Sequence, residues 1–116
     1  MRIIFPLLLL TASLWSPVIF AHSGQSASVP AHGAQLAAPP EMIEIRFDNA
    51  MRIISVALTS ASGDEYSVES LSGRAATETL QVNPPELPVG DYIFEWRGIA
   101  RDGHAMSGEL SFSVQE

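Results

Sequence analysis

The sequence contains no cysteine and no lysine. Without cysteine there is no disulfide to staple a small exported domain, so a hydrophobic core must hold it alone. A metal would likewise find no thiolate, only nitrogen, oxygen or thioether donors. The 6 basic residues are all arginine and face 13 acidic ones, for a net charge of −7. That balance has the wrong sign for a nucleic-acid binder, which must meet phosphates. An acidic surface is compatible with the collection of cations, but it is more often simply a soluble surface. Beyond the amino-terminal apolar stretch, no segment of ten or more residues carries a 3.6-residue period. A Gly-rich phosphate loop, His-Glu-x-x-His, Gly-x-Ser-x-Gly and a Cys–His pairing are all missing. No motif sets two of the acids as a general acid–base pair.

What is present begins with Met1-Arg2, the apolar run Ile3 to Trp15, and then Ser16 to Ala21. One basic residue, an apolar stretch and a terminal small residue read as a secretory signal over residues 1–21. Ile19, third from the cut, is less favourable there than a small residue. The rival reading is a retained anchor. Thr11, Ser13 and Ser16-Pro17 interrupt the apolar run, which leaves it short of the roughly 20 residues a spanning helix needs. Cleavage after Ala21 leaves a single domain of about 95 residues, 22–116, with a net charge near −8 because Arg2 is lost. A chain of that length can bury a core of its own.

Residues 22–41 are rich in Ala, Ser, Gly and Pro, with a short strand around Ala27 to Val29 and turns at Pro30 and Pro39-Pro40. From Met42 the period becomes two. Ile43, Ile45 and Phe47 alternate with polar neighbours, and Ile54, Val56 and Leu58 repeat the pattern after a break at Asp48-Asn49. Further strands are expected over Tyr66 to Leu71 and Thr77 to Val82. A final pair carries Tyr92, Phe94 and Trp96 on one face and Leu110, Phe112 and Val114 on another. The loop between them contains Asp102-Gly103, a hairpin signal. About seven short strands with regular turns predict an all-β, antiparallel Greek-key sandwich or barrel, immunoglobulin-like in architecture.

Three histidines remain after processing: His22, His32 and His104. His22 would become residue one. Its α-amine and imidazole can then chelate one ion, provided the amine, with a reference pKa of about 7.7–8.0, loses its proton. Asp102 and His104 are two apart and share a side of an extended segment, or converge around a turn. Amine, two imidazoles and a carboxylate form an N,N,N,O set suited to tetragonal copper(II). Each part also has a plain reading. Asp-Gly-His at a hairpin tip is commonly just a turn, and periodicity does not bring the two ends of the chain together. His32, in Pro-Ala-His-Gly, reads as a turn residue or an auxiliary ligand. Met42, Met51 and Met106 are not clustered, and Met106 reads as core or rim packing or as a contact of the site. Trp96 is expected in the core.

The chain resembles the CopC family of periplasmic copper-binding proteins. The likeness rests on a signal ending just before histidine, on "SVPAHGAQLAAPPEMIEIRF", on "LPVGDYIFEWRGIARDGHAMSGELSFSV" and on overall length. It implies an immunoglobulin-like, cupredoxin-like β-barrel without enzymatic activity. It also implies one copper(II) ion held by His22, Asp102 and His104. The implied role is a periplasmic, monomeric carrier or buffer in copper resistance or homeostasis that exchanges copper with a CopD-type inner-membrane transporter. Some members add a methionine-rich copper(I) loop, which residues 51–79 lack. Some carry a glutamate where Asn49 stands here. Two other functions stay open: a histidine-brace oxidative copper enzyme, in which Asp102 would occupy a position oxygen needs, and a metal-free sandwich that binds a protein partner.

Overall fold

Alternation is most regular in the last two strands, and these form the backbone of one layer. The computed structural model describes residues 25–116. In chain order the strands are β1 (Gln25–Val29), β2 (Ala34–Leu36), β3 (Ile43–Ser60), β4 (Glu65–Tyr66), β5 (Ala76–Val82), β6 (Gly90–Ala100) and β7 (Ala105–Val114), and there is no helix among the described residues. β6 and β7 pair antiparallel without a slip from Gly90↔Val114 to Ile99↔Ala105. Tyr92, Phe94 and Trp96, with Leu110, Phe112 and Val114, turn inward and are buried, as their period-2 spacing predicts.

The 18-residue β3 connects the two layers. Its first half pairs with β1 and β5. Its second half pairs with β6 from Met51↔Ala100 to Ser60↔Tyr92, and with β4. The break expected at Asp48-Asn49 appears as a bulge rather than a strand end. Pairing with β5 steps from Arg46↔Thr79 directly to Met51↔Thr77. The bulge lets one strand bend and serve both layers. The inner residues of both halves then meet in one core, where Ile43, Ile45, Leu80, Phe94 and Leu110 have no exposed surface at all. Each such burial is worth about 1.5–3 kcal/mol, which is how the fold holds without disulfides.

Three expectations need correction. Ile54 was placed on the inner face, but it is 59% exposed and Ile53 is buried. A second slip in the β3–β6 register, between Ile53 and Ser55, leaves Ile54 as the extra residue and resets the alternation. The strand expected over Tyr66 to Leu71 is only Glu65–Tyr66, followed by a single bridge, Ser70↔Val82. This segment passes from β3 to the edge of β5, so it never keeps one partner long enough to form a ladder. Finally, the sandwich is not wholly antiparallel. β2 pairs parallel with β7, Ala34↔Phe112 to Leu36↔Val114.

Tyr92 ties the entry of β6. Its hydroxyl donates to the Pro88 carbonyl four residues upstream, the arrangement called a tyrosine corner in immunoglobulin-like sandwiches. Burial pushes its phenol above the ordinary tyrosine range, with a further push from hydrogen bonding to Tyr66.

Candidate metal centre

The turn between β6 and β7 is built by glycine. Gly103 N–H donates to the Ala100 carbonyl at 2.9 Å, and Ala100 N–H donates to the His104 carbonyl at 2.9 Å. Gly103 adopts φ +87°, a left-handed conformation that a side chain would strain. The Asp-Gly signal therefore works through a longer loop with glycine at its left-handed position, not through a two-residue turn.

This turn brings Asp102 and His104 together. Asp102 Oδ1 accepts the backbone N–H of His104 at 3.1 Å, and Oδ2 lies 2.7 Å from His104 Nδ1. The short aspartate side chain thus closes on the backbone two residues ahead and holds the imidazole beside it. The hydrogen bond from the His104 ring, and then that from its backbone N–H, keep the Asp102 carboxyl below the usual carboxylate range. Both side chains are largely exposed, at 64% and 79%. The carboxylate on this ring nitrogen fixes the orientation of the ring. Among the described residues, no third histidine, cysteine, aspartate or glutamate joins them.

The other predicted groups fall elsewhere. His22 lies outside the described residues. His32 stands in a turn, where its Nδ1 accepts the Ser111 N–H at 3.1 Å. Ser111 is six positions along β7 from Ala105, where the hairpin opens. At about 3.4 Å per residue, that puts His32 roughly 20 Å from the turn, so it is not an auxiliary ligand of Asp102 and His104. Met106 is half-buried and packs on the core. Met51 is buried against Gly98. Trp96 is core, at 1% exposure, as predicted. What sequence reasoning missed is its partner: the indole N–H donates to Oε1 of Gln25, 71 residues away, at 3.3 Å. The available signal was chemical, since a buried tryptophan N–H normally finds an acceptor.

Strand order, tyrosine corner and cross-layer core define an immunoglobulin-like β-sandwich with an exposed aspartate–histidine turn at one end. The chain belongs to the CopC family: the model described as "CopC domain" matches residues 25–115. Among curated relatives, "Copper resistance protein C" of Pseudomonas syringae pv. tomato is 31% identical over 123 residues, covering 98% of this chain and 97% of that protein. "Protein YobA" of Escherichia coli K12 is 29% identical over 96% of this chain and 93% of its own length. Among solved structures, CopC from Methylosinus trichosporium OB3b superposes with a TM-score of 0.67 at 23% identity, over 78% of this chain and 91% of that one. PcoC, a methionine-rich copper resistance protein from Escherichia coli, gives 0.63 at 26%, over 78% and 96%.

Proposed function

We propose that this protein is a periplasmic carrier or buffer of copper(II), made by cleavage of the signal before His22. The observation that carries the reading is the Asp102–His104 pair on the β6–β7 turn, in a family whose named relatives include copper resistance proteins. With zinc–nitrogen and zinc–oxygen lengths of about 2.0–2.2 Å as a guide, two donors at right angles about one ion stand roughly 2.8–3.1 Å apart. The 2.7 Å between Nδ1 and Oδ2 is close to that spacing. Asp102 would supply one oxygen and His104 one imidazole nitrogen to the same ion.

The remaining donors are the amine and imidazole of His22. Chain direction supports their arrival. Gln25 pairs with Phe47, and Met51, just past the bulge, pairs with Ala100 beside the turn. β1 traced backwards therefore leads toward the turn. His22 is three residues further, a reach of about 10 Å when extended. The resulting N,N,N,O set satisfies copper(II), the divalent ion at the top of the affinity order for such sites. It leaves a closed site, suited to holding and passing on cargo rather than to oxygen chemistry. A CopD-type membrane protein is the proposed receiver or donor, and the carrier acts as a monomer.

The test is copper(II) titration of the protein beginning at His22, beside His22→Ala and His104→Ala. Each variant should lose at least tenfold in affinity, about 1.4 kcal/mol. Variants that keep an unchanged 1:1 complex would show that the ligands are wrongly assigned.

A further inference from the structure

We propose that the outer face of the β3–β6–β7 layer binds a second copy of this chain, face to face, with the two β6 strands running in opposite directions. The inference goes beyond the carrier function and does not depend on copper.

The centre of that face is the outer row of β6. Ile93, Glu95, Arg97 and Ile99 alternate with buried residues, and all four are exposed. The two isoleucines are 41% and 38% exposed, although β6 has a strand on either side. In one direction the row is apolar, acidic, basic, apolar. In the other it is apolar, basic, acidic, apolar. Two copies related by a two-fold axis between Glu95 and Arg97 therefore set isoleucine on isoleucine and each arginine on a glutamate. A two-fold interface requires such self-complementarity. In the sequence, Asp91 and Arg101 continue the same charge pattern one step beyond each end.

The ladder supplies a second observation. Glu95 and Glu109 stand directly opposite each other on β6 and β7. Like charges so placed repel. Arg97 is two residues from Glu95 on the same side, yet it makes no ion pair with either acid. The ion pairs among the described residues are Arg46–Glu44 and His104–Asp102. A single copy thus carries two adjacent carboxylates without a cation, and a guanidinium without an anion. The antiparallel copy answers both, because its Arg97 arrives over Glu95 beside Glu109. Room exists for that side chain. Small residues on the flanking strands, Ser55 and Ala57 of β3 and Ser107 of β7, leave a trough of about 420 Å³ around Glu95 and Arg97.

Area sets the strength of the contact. Three strands about 4.8 Å apart, over about 20 Å of length, cover roughly 300 Å² in projection. A standard stable interface buries about 800 Å² per partner. The dimer is therefore weak, with a dissociation constant on the order of 0.1–1 mM. It forms in concentrated solution, and the dilute carrier is a monomer. The antiparallel arrangement puts the two Asp102–His104 turns at opposite ends of the dimer.

The experiment is sedimentation equilibrium of the mature protein without metal, from about 10 μM to about 1 mM, at low and high salt. The parent should be monomeric when dilute and substantially dimeric at the upper end. Salt should weaken the association, because its central contacts are ion pairs. Arg97→Glu should weaken it at least about tenfold, since like charges then face each other, and Glu95→Arg should act in the same direction. Mixed in equal amounts, these two variants should form a heterodimer, one face being acidic and the other basic. A chain carrying both changes should associate with itself again. Melting temperatures check that these exposed substitutions leave the fold intact. A parent that stays monomeric at about 1 mM overturns the inference. So do single variants that associate like the parent, or a mixture that forms no heterodimer. The copper(II) titration tests the proposed function separately, and its failure leaves this inference standing.

Discussion

The hydroxyl of Tyr92 donates to the Pro88 carbonyl and sits on a ring stacked on Phe112 at 5.5 Å and edge-on to Tyr66 at 5.8 Å. Tyr92→Phe keeps the rings and leaves the Pro88 carbonyl without this donor. It should cost about 1–2 kcal/mol by denaturant unfolding. The phenol's raised pKa also sets a sign. A group harder to ionise when folded stabilises the fold while neutral, so that contribution disappears as pH rises above the ordinary value of about 10. The parent should therefore lose stability in strong alkali more steeply than Tyr92→Phe, as melting temperatures across pH 9 to 11 would show. At this scale the sequence was informative where chemistry is local. Asp102 and His104 are two residues apart across a glycine, so their meeting was legible. The Gln25–Trp96 contact spans 71 positions and left no spacing to read.

At the scale of elements, alternation located strands well and failed where a strand changes partner. β6 and β7 keep one register throughout, so their inner faces could be read directly. β3 contains two slips, and a bulge breaks the period without leaving a breaker residue at Ile54. β2 has three residues, too few for any period, and its parallel pairing comes from a loop that lays it along β7. Close approach is visible at Gly98. A Cβ on Gly98 would stand 2.8 Å from the Arg52 carbonyl oxygen and 2.7 Å from Met51 Cγ, and backbone cannot swing aside as a flexible side chain can. Gly98→Ala should cost about 1–3 kcal/mol through overpacking. Urea unfolding checks it, and a change under about 0.5 kcal/mol would mean that β3 and β6 separate easily there.

The whole molecule is a buried core with an exposed aspartate–histidine turn at one end. Phe94, with no exposed surface, lies at its centre. Phe94→Ala should cost about 3–5 kcal/mol, a large part of the 5–15 kcal/mol typical of a domain, with no disulfide to compensate. The sandwich was legible because nearly every strand carries its own period. The way β3 joins the two layers was not, because it depends on bulges. Copper binding, in turn, should follow the protons of its nitrogens. Affinity should fall as pH drops through the histidine range near 6.5, and a copper(II) spectrum unchanged down to about pH 4 would argue against nitrogen ligation.

The most direct measurement compares two proteins by copper(II) paramagnetic resonance: one beginning at His22, the other with a single alanine added before it. The first should show coupling to three nitrogens and a 1:1 complex. The second should lose that pattern, because the amine no longer belongs to the histidine that chelates. Identical spectra and affinities for the two chains would contradict a metal centre built on the amino group of His22.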